Sequence, residues 1–195
     1  MKNLSSASAV VVLLGTSVLG IGAAGASSYV SGLGGPTFAP DLSVNGVSHG
    51  MDTGFNVGVR YGYYFNYWNL PNLSVELDGL FSQSGYSNMS NSWLQSSSYM
   101  ANAIYHLPTN SPLEFYGGAG LGAVTTNINI GASHNGSSTV LGWQALGGIE
   151  YRVSDQASIF AEYRYQSAHD VNAGGLTQVG NASNNLSFGL KWRLD

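Results

Sequence analysis

Asn185-Leu186-Ser187-Phe188-Gly189-Leu190-Lys191-Trp192-Arg193-Leu194 alternates without a break. Leu186, Phe188, Leu190, Trp192 and Leu194 fall on one side, and Ser187, Gly189, Lys191 and Arg193 on the other. A period of two belongs to a β-strand, whose successive side chains point to opposite faces. The two faces here need different surroundings: one carries five large apolar groups, the other both cations.

The same division recurs upstream. In Gly54 to Phe65, Phe55, Val57, Val59, Tyr61, Tyr63 and Phe65 oppose Asn56, Gly58, Arg60 and Gly62. In Leu73 to Ser82, Leu73, Val75, Leu77 and Phe81 oppose Ser74, Glu76, Asp78 and Ser82. Leu113 to Thr126 sets Phe115, Ala119, Leu121 and Ala123 against Glu114, Tyr116, Gly118, Gly120 and Gly122, a glycine-lined face that lets a sheet curve tightly. Thr139 to Val153 opposes Trp143, Ala145, Ile149, Tyr151 and Val153 to Gln144, Glu150 and Arg152; Ala157 to Ser167 opposes Ile159, Ala161, Tyr163 and Tyr165 to Glu162, Arg164 and Gln166. Trp93 to Leu107, with Tyr99, Ala101, Ala103, Tyr105 and Leu107 outward, and the glycine-rich Tyr29 to Phe38 bring the count to about eight strands, each near the length that crosses a bilayer when tilted.

Charge placement decides which side is wet. Beyond Lys2, the basic residues are Arg60, Arg152, Arg164, Lys191 and Arg193, and every one falls on the polar-and-glycine side of its strand. Glu76, Asp78, Glu114, Glu150 and Glu162 share that side, five acids against five bases. A soluble sandwich also alternates, but it spreads its lysines over the exterior. A charge in hydrocarbon costs about 2.5–3.5 kcal/mol even on the mildest scale, whereas a barrel lumen lets arginine and carboxylate pair. The expected fold is all-β: a transmembrane antiparallel up-and-down β-barrel of about eight strands, its interior a salt-bridge network and its aromatic side, with Tyr61, Tyr63, Tyr105, Tyr151, Tyr163 and Trp192, supplying interfacial girdles.

The connections sort into two alternating classes. Asn66 to Asn72, Pro108 to Pro112 and Ser154 to Gln156 are short and turn-rich; Ala39 to Thr53, Gln83 to Ser92, Asn127 to Ser138 and Ala168 to Asn184 are longer, polar and rich in Asn, Ser and Gly. Short periplasmic turns, four long external loops and both termini on the periplasmic side are what an outer-membrane barrel requires. At the start, Lys2, the apolar stretch Ala9 to Gly22 and the small-x-small Ala24-Gly25-Ala26 read as a cleavable secretory signal peptide over residues 1–26, leaving a barrel domain over 27–195. A membrane anchor would need a longer, uninterrupted apolar core and following stop-transfer charges. Cleavage leaves five basic and ten acidic residues, so 5 − 10 = −5.

Composition excludes other classes. Only 8% of the 195 residues are charged, 27 are glycine and none is cysteine, so disulfides, thiolate chemistry and thiol-ligated zinc are excluded. A mildly acidic chain of this kind is no nucleic-acid binder.

Tyr29-Val30-Ser31-Gly32, Gly54 to Phe65 (GFNVGVRYGYYF), Met100-Ala101-Asn102-Ala103, Tyr116-Gly117-Gly118-Ala119-Gly120-Leu121-Gly122, Trp143-Gln144-Ala145, Gly148-Ile149-Glu150-Tyr151-Arg152 and Glu162-Tyr163-Arg164-Tyr165, taken in order, resemble the opacity-type porin family of small outer-membrane β-barrel proteins. The resemblance spans nearly the whole mature chain, and the order of the motifs carries it, each being little more than glycine and aromatic alternation. It implies an eight-stranded barrel in the outer membrane of a Gram-negative cell after Sec-type export, with surface loops used in adhesion, host contact or immune exposure. It implies as partners outer-membrane lipid, the barrel-assembly machinery and an extracellular ligand for the loops, and it implies no catalytic residue or cofactor. One departure stands at the end: such chains usually finish on an aromatic residue read by the assembly machinery, and here Leu194 takes that place before Asp195.

Other chemistry finds little support. His49, His134 and His169 fall in three different external loops and His106 near a periplasmic strand end, a spacing that matches no zinc pattern; all four are expected as solvated residues. A His/Ser/Glu set would mark a lipid-modifying enzyme, and His134-Asn135-Gly136-Ser137 reads only as local loop chemistry. The expected role is therefore structural or surface-interacting, adhesin- or opacity-like; the alternatives are a narrow channel or small-molecule transporter, with Glu162 and Arg164 along its path, and then a lipid A-modifying enzyme. An eight-stranded barrel leaves an interior just wide enough for side chains to fill, which favours a plug over a path.

Overall fold

The computed structural model of the chain describes residues 28–38, 42–44, 47–49, 52–65, 70–85, 92–130, 134–173 and 176–194. The expected signal peptide lies outside the described residues. Among the described residues ten strands appear: β1 (Ser28–Phe38), β2 (Leu42–Val44), β3 (Val47–His49), β4 (Gly54–Phe65), β5 (Leu70–Gly85), β6 (Ser92–Leu107), β7 (Leu113–Ile130), β8 (His134–Arg152), β9 (Ala157–Ala173) and β10 (Leu176–Arg193). Eight close into an antiparallel barrel in the order β1-β10-β9-β8-β7-β6-β5-β4, and β2 and β3 form a separate two-stranded hairpin. No helix among the described residues is long and apolar enough to cross a membrane.

Closure removes the sheet's edges, so every wall strand has a partner on both sides. The seam joins β1 to β10, with Tyr29 opposite Arg193 and Gly34 opposite Phe188, and the Leu194 amide donates to the Ser28 carbonyl at 2.8 Å. Both described ends of the chain therefore meet at the rim that carries the short turns.

The alternation is inverted relative to a water-soluble protein. Leu77, Leu121 and Leu190 are 65%, 64% and 68% exposed, whereas Arg60, Glu162 and Arg164 are 4%, 1% and 1% exposed. Apolar groups outside and charges inside are stable only when hydrocarbon surrounds the molecule. Of the residues expected in girdles, Tyr63, Tyr105, Tyr151 and Trp192 stand close to the periplasmic turns, while Tyr163 stands farther up the wall, beside a Trp143–Tyr165 pair with ring centroids 5.5 Å apart.

Glycine makes room for the interior. A Cβ on Gly120 of β7 would run into the Asn102 side chain of β6, and one on Gly62 of β4 would run into the ring of Tyr29 of β1. The small face seen in β7 thus accommodates the long residues of its neighbours, which lie across it toward the axis.

Strand ends depart from expectation mainly on the external side. Asn127 to Ser138 and Ala168 to Asn184, expected as loops, are mostly strand: Thr125 pairs with Thr139, Asn127 with Ser137, and Ser167 with Ala182. β5 likewise runs on to Gly85, and β2 and β3 occupy part of Ala39 to Thr53. Past the membrane the outward side of a strand no longer meets lipid, so its apolar residues give way to polar ones, as at Thr125 and Asn127 of β7, and the apolar-outward pattern that marks a wall strand is lost. Hydroxyl contacts replace it, as between Thr125 and Thr139 Oγ1 at 2.9 Å. At the other rim β5 starts at Leu70, before the expected Leu73, with Pro71 tolerated at its beginning.

Candidate functional site

The inward side chains of the eight wall strands form two charged layers. The central layer is built on Arg60 of β4. Its Nη1 and Nη2 donate to the two carboxylate oxygens of Glu162 of β9, both at 2.9 Å, a bidentate pair. Its Nε lies 3.4 Å from Glu76, and Asp78 is 3.9 Å away, both on β5. Arg164, two residues beyond Glu162 and therefore on the same face, reaches Asp78 at 2.7 Å and Glu162 at 2.9 Å. The Tyr116 hydroxyl adds a donor to Glu162 at 3.0 Å. Above Arg60, Leu33, Leu80 and Phe160 pack into an apolar cluster, and the guanidinium lies 5.5 Å from the Phe160 ring.

Beside it, Gln144 of β8 donates to Asn102 of β6 at 2.6 Å. Residues from β4, β5, β6, β7, β8 and β9 thus meet near the axis, and the contacts tie walls that are far apart around the barrel. The ion pairs Arg60–Glu162 and Arg164–Asp78 are tolerated there because each charge in them faces an opposite one.

The periplasmic layer is more aromatic. Lys191 of β10 pairs with Glu150 of β8, and its ammonium lies 4.4 Å from the Tyr29 ring and 5.8 Å from those of Tyr64 and Tyr116. His106 of β6 sits between Tyr64 and Tyr116, ring centroids 4.9 and 5.9 Å away. Its Nδ1 is 2.5 Å from Glu114 Oε1 and its Nε2 is 3.0 Å from Ser74 Oγ. The Tyr29 hydroxyl lies 3.3 Å from that Ser74 oxygen and donates to Glu76 Oε1 at 2.5 Å.

The structure therefore brings together Arg60, Glu76, Asp78, Glu162 and Arg164 in one layer, and Lys191 with Glu150 and His106 with Glu114 in the other. It leaves two of the sequence-derived residues outside. Arg152 follows the inward phase, yet its side chain is 46% exposed at the rim, 4.0 Å from Glu114. Arg193 reaches the Asp155 carbonyl of the turn, at 3.5 Å. Phase alone put them inside; the wall ends at their level, and there is no lumen left to enter.

One expectation is corrected outright. His106 is not a solvated residue: it is 4% exposed and hydrogen-bonded on both ring nitrogens. The signal was present, since His106 follows Met100, Asn102 and Ile104 in steps of two, opposite the outward Tyr105 and Leu107. Tyr29, Tyr64 and Ser74 also belong to the site, and β1 offered too little alternation to give Tyr29 a phase. The side chains of His49, His134 and His169 lie outside the described residues. Among the described residues no group of three or more His, Asp or Glu could hold a metal ion.

A closed eight-stranded barrel with an apolar exterior, a paired-charge interior and short turns at one rim defines a small outer-membrane protein. The chain belongs to the outer membrane protein beta-barrel domain family, whose pattern matches residues 9–193. It is similar in structure to Neisserial surface protein A, with 25% identity over 86% of this chain and 98% of that one and a TM-score of 0.64. It is also similar to OprG of Pseudomonas aeruginosa, with 14% identity, 87% and 96% coverage and a TM-score of 0.56. Ail, the attachment invasion locus protein of Yersinia pestis, aligns at 19% identity with 87% and 99% coverage and a TM-score of 0.50. No curated protein sequence matches the chain. The last two show a common fold. The protein's location is the Gram-negative outer membrane.

Proposed function

We propose that the protein is a surface-interaction barrel: a plugged, membrane-anchored wall that presents its four external connections to an extracellular partner and catalyses no reaction. The observation that carries this reading is the central layer, where Arg60, Glu162, Arg164 and Asp78 join β4, β5 and β9 across the axis with side chains at most 1% exposed. The network's role is then structural, holding the interior filled, and residues 1–26 are a leader removed on export. Support for the surface role comes from the similarity to Neisserial surface protein A, and from the strands β7 to β10, whose pairing continues into the polar external segments. Strand pairing fixes part of the backbone before a partner arrives, which lowers the ordering cost of binding.

Two measurements test it. In planar bilayers the refolded barrel is expected to show no large, stable conductance; such a conductance would replace this reading with that of a channel or transporter. Cells displaying the protein are expected to gain attachment to a host-type surface, and to lose it when β7–β8 and β9–β10 are shortened to minimal turns outside the membrane. Unchanged lipid A mass in overproducing cells is the expected result for a barrel without enzymatic activity.

A further inference from the structure

Among the described residues, three cations are buried inside the barrel, Arg60, Arg164 and Lys191, against four buried carboxylates, Glu76, Asp78, Glu150 and Glu162. The sum is 3 − 4 = −1. An unbalanced charge in so dry a place costs many kcal/mol, and groups so placed gain or lose a proton instead. Glu76 is the carboxylate left over. Glu162 and Asp78 have their arginines within 2.9 Å, and Glu150 has Lys191, whereas the nearest cation to Glu76 among the described residues is Arg60 Nε at 3.4 Å; Glu76 Oε2 and Asp78 Oδ1 both lack a hydrogen bond there, but the other oxygen of Asp78 holds Arg164 at 2.7 Å.

From the other oxygen of Glu76 a chain of exchangeable protons leads to the periplasmic rim. Tyr29 donates to Glu76 Oε1 at 2.5 Å, Ser74 Oγ follows at 3.3 Å, His106 Nε2 at 3.0 Å, and His106 Nδ1 meets Glu114 at 2.5 Å. Only the last member reaches solvent: the Glu114 side chain is 22% exposed, and that of His106 5%. Around the chain stand Arg60 and Tyr64 of β4, Tyr116 of β7, Glu150 and Arg152 of β8, Glu162 of β9 and Lys191 of β10.

We propose that Glu114, His106, Ser74, Tyr29 and Glu76 form a proton-binding site with its own entry route, by which the barrel interior takes up one proton from the periplasmic side. The proton is taken up first by Glu114, whose Oε1–H donates to the unprotonated Nδ1 of His106; Nδ1 binds it, Glu114 returns to carboxylate, and Nε2 releases its own proton to Ser74 Oγ. Ser74 passes its hydroxyl proton to Tyr29, and Tyr29 passes its proton to Glu76 Oε1. Each hydroxyl loses one O–H bond and gains another, so one proton is added and no group is left charged that was not charged before, except that Glu76 becomes neutral. The Ser–His–Glu order resembles that of a hydrolase, but Ser74 is 0% exposed and already engaged with Tyr29, so no substrate carbonyl reaches it. Relay, not acyl transfer, is the chemistry open to it.

The test uses the full mature barrel, refolded in bilayers, between about pH 5 and pH 8. Infrared spectra are expected to show a protonated carboxylic-acid band that disappears in Glu76→Gln, or nitrogen NMR of the His106 ring to show it cationic, the same proton resting at the other end of the chain. Absence of both, or a band that survives Glu76→Gln beside a neutral ring, overturns the proposal. Delivery is read from the rate at which that signal exchanges in deuterated buffer. Ser74→Ala should slow it and Ser74→Thr, which keeps the hydroxyl, should restore it; His106→Gln gives the same reading from the rim end. Exchange as fast as wild type in both Ser74→Ala and His106→Gln would overturn the route.

Discussion

The central and periplasmic layers of the interior use the same ingredients, arginine or lysine with carboxylates and tyrosine, and join them differently. In the central layer each ion meets more than one partner: Arg60 faces Glu162, Glu76 and Asp78, and Glu162 faces Arg60, Arg164 and Tyr116. In the periplasmic layer each buried basic group has a single carboxylate, Lys191 with Glu150 and His106 with Glu114, and neutral groups supply the rest: the Tyr64 hydroxyl accepts from Lys191 Nζ at 3.3 Å, Ser74 meets His106 Nε2, and aromatic rings fill the space between. Where many contacts share one cation, removing it strands several charges together. Where contacts are single and near the rim, water and neighbouring rings can take over part of the role.

That contrast is open to direct attack by denaturant unfolding in micelles. Arg60→Ala should have the largest effect, about 3–5 kcal/mol, because it leaves Glu162 and Glu76 buried without their main partner. Pairing Arg60→Met with Glu162→Met should recover much of the loss, since no surplus charge then remains between those two positions; a double variant as weak as the single one would mean that packing, not charge, dominates the layer. The same charge on the opposite face gives the next effect: Leu121→Arg, at a lipid-facing position about midway along β7, should cost about 2–4 kcal/mol. Lys191→Met, which strands Glu150 alone while leaving the aromatic surround, should cost about 1.5–3 kcal/mol. Arg152→Ala, at the exposed rim, should change stability by no more than about 0.5 kcal/mol. If Lys191→Met exceeded Arg60→Ala, the distinction between shared and single contacts would fail.

Legibility followed hydrophobic contrast. β4 reads off Phe55 to Phe65 to the residue, because lipid on one side and packed polar groups on the other leave every second position constrained. The extensions of β7 to β10 were read as loops because their sequence lacks the apolar outward positions that lipid demands of the wall. His106 was legible in phase but hidden by its place near a turn, where burial depends on how far the neighbouring wall rises. Arg152 and Arg193 were misplaced for the converse reason: the phase continues one step after the enclosure stops.

By itself the sequence determined the barrel, the wall portion of its strands and the strand face from which each charge projects, since a period of two fixes direction through local backbone geometry alone. Which charges meet was decided only by closure. Arg60 and Glu162 lie 102 residues apart and touch because the register around the ring brings β4 and β9 to the same height from opposite walls. Height and separation across a lumen are properties of the assembled cylinder, and no stretch of one strand contains them.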